Sequence, residues 1–345
     1  NGVRLLEVTP GSTQSRSLGA LEQSIVENLR ARWLAQSEAL ITEHYGLTGD
    51  GVELAISLEV DSGLPGANVV GGVAGLVRAT IAIGPGTGLG TNLEFEIDAA
   101  DAENMGAEYD AVVAHEIVHA VQYRTLNMRD TINGGDGGST GTWFTEGLAE
   151  LIPGADARVA GTLTRHTDAE LADRVTELLN GGAWGGGGAH GFSTADDYSA
   201  GYVAVRYLHD RISDAGGQGI RDVLAYMSQN RGSGLDEALQ NIAAGGYAGG
   251  MTEFATDFSG VAGLAFIQGM DLANADTGAI GGADADGGPV RTAESVIPDT
   301  YDHRAQPLQG FEVVWPDGAD PLETSFESTE ANPVDLSTPR IDSGV

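Results

Sequence analysis

Residues 111–123 read AVVAHEIVHAVQY and contain the pattern H-E-x-x-H, formed by His115, Glu116 and His119. Positions four apart lie on one face of an α-helix, about one turn from each other, so both imidazoles are expected to reach one point. Imidazole nitrogens are common zinc ligands, and a catalytic zinc uses three protein ligands and one water, whose pKa it lowers toward about 7. Glu116 directly follows the first histidine and is expected to take a proton from that water. The pattern therefore predicts a zinc-binding helix.

A second stretch, WFTEGLAEL at residues 143–151, supplies a candidate for the third ligand. Glu146 lies in it, and Glu150 follows one helical turn later, where a carboxylate is expected to accept the other ring N–H of a ligating histidine. Each stretch alone has a simpler interpretation, since H-E-x-x-H arises by chance and a glutamate pair is typical of a solvated helix face. The two stretches together favour a metal site.

The residues after the second histidine exclude one class of zinc peptidase. A metzincin would continue as H-E-x-x-H-x-x-G-x-x-H, but Gln122 and Thr125 occupy those two places. The combination of H-E-x-x-H with a later E-G-x-A-E resembles the gluzincin peptidases, the thermolysin-like fold group, with a spacing most similar to bacterial collagenases and flagellinolysins. The segment WFTEGLAELIPGADARV, residues 143–159, is similar to the flagellinolysin version, in which G-A-D and a basic residue follow the glutamate helix. The resemblance extends over about residues 20–290.

This resemblance implies a zinc endopeptidase that cleaves extended protein or peptide substrates outside the cell, as part of a larger surface or flagellar protein. Gluzincins commonly use a tyrosine or histidine of the helical half as a donor to the carbonyl oxygen that becomes negative during the reaction. Tyr198 is the first candidate, and Tyr202 and His190 are its rivals, although each is equally well explained as a core tyrosine or a solvated loop histidine. Earlier in the chain, Gly46 is expected to end a long first helix. Residues 92–98, in which Leu93, Phe95 and Ile97 alternate with acidic residues, form the last predicted strand before the zinc helix. In gluzincins the edge strand at this place pairs with substrate.

The composition excludes several classes of partner. The chain has 345 residues, a formal net charge of −33 and no cysteine, and all of its basic residues are arginine. Nucleic acid and anionic membranes would be repelled, and no apolar run approaches the roughly 18 residues needed for membrane insertion. The acidity is typical of a secreted protein in a saline or calcium-rich setting. Because the sequence starts at Asn1 without a signal peptide, we expect a processed form or an excised piece.

The predicted fold class is α+β with a thermolysin-like gluzincin architecture. Residues 1–17 are a lead-in. Residues 18–141 form an N-terminal half with a long first helix, a mixed or antiparallel sheet and the H-E-x-x-H helix, and residues 142–270 form a mostly helical half with the glutamate ligand. Residues 271–345 are an acidic tail or linker rich in Gly, Asp and Pro, with a short strand near Phe311.

A calcium site is a further expectation, because carboxylate oxygens are the ligands that calcium prefers. The candidates are Glu94, Glu96, Asp98 and Asp101, which lie on or directly after the last strand before the zinc helix.

Two other functions remain open at this stage. One is a catalytically silent peptidase-fold module that binds or decorates a surface protein such as a flagellin. The other is a non-peptidase zinc hydrolase, which would need a small closed pocket rather than an open cleft.

Overall fold

The computed structural model describes residues 19–59, 74–81, 88–128, 142–163, 166–170, 195–293, 296–297, 308–316 and 319. Its helices in the N-terminal half are α1 (Ala20–Asn28), α2 (Leu34–Tyr45), α3 (Ala99–Met105) and α4 (Tyr109–Thr125). The later helices are α5 (Thr142–Leu151), α6 (Asp156–Thr162), α7 (Ala195–Asp214), α8 (Ile220–Gln229), α9 (Leu235–Asn241), α10 (Gly250–Phe258), α11 (Val261–Gly269) and α12 (Ala283–Asp286). The strands are β1 (Val52–Glu59), β2 (Gly75–Ile81), β3 (Gly90–Asp98) and β4 (Phe311–Val314). No helix within these residues combines the length and apolar character needed to cross a membrane.

The predicted α+β class is confirmed, with a mixed four-stranded sheet in the order β2-β3-β1-β4. Strand β1 pairs in parallel with both β3 and β4, whereas β2 pairs antiparallel with β3. Only the short segment 82–89 joins β2 to β3, and a connection of that length suits antiparallel neighbours. Strand β4 comes from the C-terminal part of the chain, so that region completes a sheet formed mainly by the N-terminal half.

Strand β3 shows the predicted alternation of apolar and acidic residues, but it lies inside the sheet rather than at the predicted edge. Leu93, Phe95 and Ile97 are buried, as expected for the inner face of a half-covered strand. However, β3 is hydrogen-bonded on both sides, by β1 and by β2, so it is not an edge strand. The prediction that residues 92–98 form an edge strand that pairs with substrate is therefore wrong. In the described part of the sheet, β2, which precedes β3 in the sequence, occupies the edge beside it.

The predicted long first helix is present and changes pitch once. A π-helical turn, Leu29–Trp33, joins α1 to α2 without a break. Gly46 ends α2 in the left-handed conformation at φ 66°, which glycine adopts without steric cost. Helix α4 packs against α2, β2 and β3, and its apolar residues Val113 and Ile117 are fully buried. This burial gives α4 a fixed position next to the sheet.

The region after residue 270 differs from the predicted tail over residues 271–293. The Ile280 N–H donates to the Leu151 carbonyl oxygen at 2.9 Å, and the Thr277 hydroxyl donates to the Pro153 carbonyl oxygen at 2.8 Å. Ile280 is buried. Acidic side chains that suggested a solvated linker instead stabilise turns, since the Asp276 carboxylate accepts backbone N–H groups of Gly278, Ala283 and Arg291. Residues 271–293 are therefore packed on the turn that follows α5.

Candidate metal centre

Two helices supply the predicted metal ligands. Helix α4 carries His115 and His119 one turn apart, and α5 carries Glu146 opposite them. In the described part of the chain, these three residues are the one group of at least three His, Asp or Glu side chains whose ligand atoms lie within 4.8 Å of one another. The structure therefore brings together the three ligands that the sequence predicted.

The distances between the three donor atoms fit a tetrahedral metal ion. His119 Nε2 lies 3.1 Å from His115 Nε2 and 3.2 Å from Glu146 Oε2, and His115 Nε2 lies 3.4 Å from the same oxygen. Ligands at about 2.0–2.1 Å from zinc and at tetrahedral angles are roughly 3.3 Å apart. A hydrogen-bonded cluster explains the arrangement less well, because one ring N–H of His119 cannot serve two partners at once. The residues present thus fit a zinc ion.

Each histidine has a partner on its other ring nitrogen. His115 Nδ1 lies 3.2 Å from Glu150 Oε1, as the sequence predicted for Glu150. His119 Nδ1 lies 3.1 Å from Gln122 Oε1, and the Gln122 amide in turn donates to the Thr145 carbonyl oxygen at 3.0 Å. Such contacts direct Nε2 of both rings toward the metal position by fixing the tautomer and the ring orientation. Sequence analysis used Gln122 only to exclude the metzincins and missed this role, although the i,i+3 spacing from His119 was visible.

A close helix crossing fixes α5, which carries Glu146, against α7, which carries Tyr198. A Cβ atom on Gly147 of α5 would lie 2.4 Å from the Gly201 carbonyl oxygen of α7, and a Cβ atom on Gly201 would lie 2.9 Å from the Trp143 carbonyl oxygen. Real Cβ atoms essentially never approach other atoms within 3.0 Å. Glycine at both positions therefore permits α5 and α7 to touch through their backbones, and Glu146 and Tyr198 come to the same side of this crossing.

The Glu116 carboxylate lies beside the metal ligands and is attached to strand β2. Its Oε1 is 3.9 Å from His115 Nε2, and its Oε2 accepts the Val77 N–H at 2.8 Å. Burial raises the pKa of Glu116 above its ordinary value, against the opposing charges of the two histidines. Glu116 is thus a buried carboxylate next to the metal position, with one oxygen fixed and a high proton affinity.

The centre as a whole favours positive charge. Burial alone would lower the pKa of His115, but hydrogen bonds to Glu146 and Glu150 raise it to about 10. Burial likewise opposes the ionisation of Glu146, yet the charges of His119 and His115 hold its pKa well below the ordinary value. Both shifts follow from carboxylates that are buried close to imidazoles. The same negative charge favours a dication between the two rings.

The three candidates for the carbonyl-oxygen donor fall in different places. The Tyr198 ring lies 6.3 Å from the His115 ring, centroid to centroid, and burial and the negative charges of Glu146 and Glu116 raise the pKa of its phenol. Tyr198 is therefore a protonated donor beside the centre. His190 lies outside the described residues.

Tyr202 belongs to a separate buried hydrogen-bond network, so the prediction that it is a rival to Tyr198 as the carbonyl-oxygen donor is wrong. Its hydroxyl lies 2.7 Å from Asp156 Oδ1 and 2.9 Å from the Gly278 carbonyl oxygen, and it accepts from Arg206 Nη1 at 2.8 Å. Tyr202 is fully buried. Its position one turn after Tyr198 on α7 turns it toward residues 271–293 rather than toward the metal ligands.

One further phenol near the centre was missed by sequence analysis. Tyr123 follows His119 by four residues on α4, and burial together with the negative charges of Glu146 and Glu116 raises its pKa. Its side chain is half-buried, and a Cβ atom on Gly90 at the start of β3 would lie 3.0 Å from it. Tyr123 therefore extends the ligand face of α4 by one turn toward the sheet.

The carboxylates proposed for calcium do not form one group. Glu96 is paired with Arg78 at 2.7 Å, and the Asp98 carboxylate accepts the N–H groups of Ala100 and Asp101 at the start of α3. Burial and the nearby Asp98 raise the pKa of Asp101. Within the described residues, the metal-ligand grouping noted above does not include any of the four predicted acids. Hydrogen bonds to the backbone and an ion pair thus account for part of this acidic cluster.

Comparison of the chain with known proteins found no matching family model, no similar curated protein and no similar solved structure.

Proposed function

We propose that this chain is a zinc-dependent endopeptidase of the gluzincin type, with a thermolysin-like arrangement of the two halves around the cleft. The observation that carries the proposal is the convergence of His115, His119 and Glu146 at distances that suit tetrahedral zinc, with Glu116 alongside. Zinc supplies a Lewis acid and an acidified water at such a site. The extended-chain substrate, the extracellular location and a place in a larger surface or flagellar protein are parts of the same proposal.

Glu116 has the properties of a general base in this reaction. Its pKa is raised by burial, and a base is most effective when its pKa lies near the working pH. It takes a proton from the attacking water and passes it to the leaving amine. The Val77 N–H fixes one carboxylate oxygen, so the other oxygen is left to exchange the proton.

Tyr198 donates to the substrate carbonyl oxygen as that oxygen gains negative charge. Its raised pKa keeps the phenol protonated at neutral pH, which a hydrogen-bond donor requires. A donor that contacts the developing oxyanion typically contributes about 10²–10³ in turnover. Tyr198, the first candidate from the sequence, is therefore the donor that we propose.

Strand β2 provides a recognition edge for an extended peptide. Within the described residues it has one neighbouring strand, β3, and its Val77 N–H is directed away from β3 toward Glu116. Backbone groups alternate along a strand, so those of Gly75 face the same way. At its start β2 passes Val112, since a Cβ atom on Gly75 would lie 3.1 Å from that side chain. Glu116 binds the outward Val77 N–H, and Gly75 and Val77 are buried, so only the later part of β2 is left for a substrate strand. Such an edge beside the general base favours a peptidase over a hydrolase of small molecules.

Zinc content and proteolysis, measured on the same variants, test the proposal. We expect about one zinc per wild-type chain by elemental analysis, and cleavage of casein or flagellin that a chelator abolishes. Glu146→Ala should lose most of the zinc, and Glu116→Gln should keep zinc and fold but lose nearly all proteolysis. Glu237→Gln, at an exposed glutamate of α9, is the matched control and should behave as wild type.

Three results would contradict the proposal. Full zinc content in Glu146→Ala would remove Glu146 as a ligand. Parental casein digestion by Glu116→Gln would remove Glu116 as the base. A wild-type protein that binds zinc but cleaves neither casein nor flagellin would instead support the catalytically silent module.

A further inference from the structure

Arg158 of α6 contacts two separate parts of the candidate centre. Its Nη1 lies 2.5 Å from Glu150 Oε1, and its guanidinium carbon lies 5.4 Å from the centre of the Tyr198 ring. The Arg158 side chain is 39% exposed, whereas the Glu150 side chain is only 4% exposed. Arg158 thus brings a positive charge from the surface to a buried carboxylate and an aromatic ring.

On one side, Arg158 acts on a metal ligand through Glu150. The same Glu150 oxygen that receives the guanidinium also lies 3.2 Å from His115 Nδ1. A buried carboxylate is stable only when its charge is paired and hydrogen-bonded. Arg158 therefore helps to keep an acceptor in place that orients the imidazole of His115.

On the other side, Arg158 lies over the ring of the proposed donor. A guanidinium within about 6 Å of a tyrosine ring centre is attracted to the face of the ring. The same ring also neighbours His115, with 6.3 Å between the ring centroids and an angle of 46° between the planes. The Tyr198 ring thus contacts both a candidate metal ligand and Arg158, and these contacts restrict the orientation of the ring.

We propose that Arg158 is a positioning residue of the metal centre, which holds the Glu150–His115 pair through a salt bridge and the Tyr198 ring through its guanidinium plane. The proposal rests on the proposed function, because it assigns Arg158 a role in zinc affinity and in turnover. It goes beyond that function in linking the ligand support and the donor through one side chain.

A set of arginine variants with two readouts tests this role. Zinc affinity is measured by competition with a chelator, independently of activity, and kcat and KM are measured on a peptide substrate at saturating zinc. Arg158→Met should weaken zinc binding about 10-fold or more and lower kcat roughly 5–30-fold with little change in KM. Arg158→Lys keeps a charge for Glu150 but loses the planar guanidinium, so it should recover most of the zinc affinity and only part of kcat.

A double-mutant cycle separates positioning of Tyr198 from general destabilisation. In a Tyr198→Phe background the hydroxyl is gone, so the additional loss of kcat caused by Arg158→Met should nearly disappear at saturating zinc. Arg231→Met removes a positive charge from an exposed arginine on the surface and should leave zinc affinity and kcat unchanged. Thermal unfolding of each variant reports whether it folds, and Arg158→Lys provides the test if Arg158→Met does not.

The outcomes distinguish this inference from the proposed function. An active, zinc-binding wild type whose Arg158→Met variant has unchanged zinc affinity would overturn the inference alone. Equal kcat losses in the wild-type and Tyr198→Phe backgrounds would also overturn it, since Arg158 would then act without the Tyr198 hydroxyl. A wild type that binds no zinc and cleaves no protein would overturn both.

Discussion

Replacement of Gly147 by alanine should disturb the candidate metal centre although Gly147 is not itself a ligand. The added Cβ would lie 2.4 Å from the Gly201 carbonyl oxygen and 2.6 Å from Val205 Cγ2. Ordinary contacts of this kind begin at 3.4 Å, so α5 and α7 must separate by about 1 Å. The opposing atom is a backbone oxygen in a closely packed interior, which cannot rotate away as a flexible side chain would.

The displacement exceeds what a zinc site tolerates. Glu146 directly precedes Gly147 and moves with α5, whereas His115 and His119 belong to α4. Metal–ligand distances hold within about 0.2 Å, so a shift of about 1 Å should weaken zinc binding by at least about 10-fold. Overpacking costs about 1–3 kcal/mol, and the better helix propensity of alanine offsets up to about 1 kcal/mol of this. We therefore expect a lower melting temperature together with weaker zinc binding.

Chelator competition and thermal unfolding measure the two effects, with Gly269→Ala as the matched control. Gly269 ends α11, and a Cβ atom there would meet nothing within 4 Å. This control should keep the wild-type zinc affinity and lie within about 1 kcal/mol of the wild-type stability. A Gly147→Ala protein that binds zinc as tightly as Gly269→Ala would refute the argument that the helix crossing positions Glu146.

Two further predictions concern α7. Tyr198→Phe should lower kcat about 10²–10³-fold with little change in KM. Tyr202→Phe should leave turnover nearly unchanged but lower the melting temperature, because the Tyr202 hydroxyl belongs to the buried Asp156 network. The reverse pattern in peptide kinetics would contradict this assignment. Burial raises the pKa of Asp210 to about 6, so the native state binds its proton more tightly than the unfolded chain and loses stability as the pH rises from about 4 to above 6. In urea unfolding, Asp210→Asn should thus raise the free energy of unfolding by about 1 kcal/mol at pH 7.5, after allowance for partial solvent exposure, and leave it unchanged at pH 4. An equal rise at both pH values would exclude the raised pKa of Asp210 as the cause.

The ligand set could be predicted from the sequence because its geometry is local. His115, Glu116 and His119 lie on one helix, and Glu146 and Glu150 lie on another, so helical periodicity alone places each set on one face. The sequence also predicted the alternation of β3 and the end of α2 at Gly46. In all these cases the deciding contacts join residues a few positions apart, and local rules apply.

Contacts between distant parts of the chain could not be predicted in this way. Tyr198 and Tyr202 lie on the same face of α7, but the displacement of one turn along the helix places the first beside His115 and the second beside Asp156. Strand β3 is amphipathic whether it is central or at an edge, because its hydrophobic pattern reports which face is buried and not which strands are its neighbours. Arg158 reaches Glu150 only because α6 folds back after α5, and no spacing rule reports that turn.

The packing of residues 271–293 and 296–297 has a consequence for the order in which the fold can form. The Ile297 N–H donates to Asp110, five residues before His115, across a separation of 187 positions. Contacts between residues so far apart in sequence close large loops and slow folding. On a ribosome, Asp110 in the first turn of α4 can therefore accept the Ile297 N–H only after nearly the whole described chain has been synthesised. Synthesis of the segment around Ile297, rather than local helix formation, thus sets the earliest time at which the surroundings of the centre can be fully assembled.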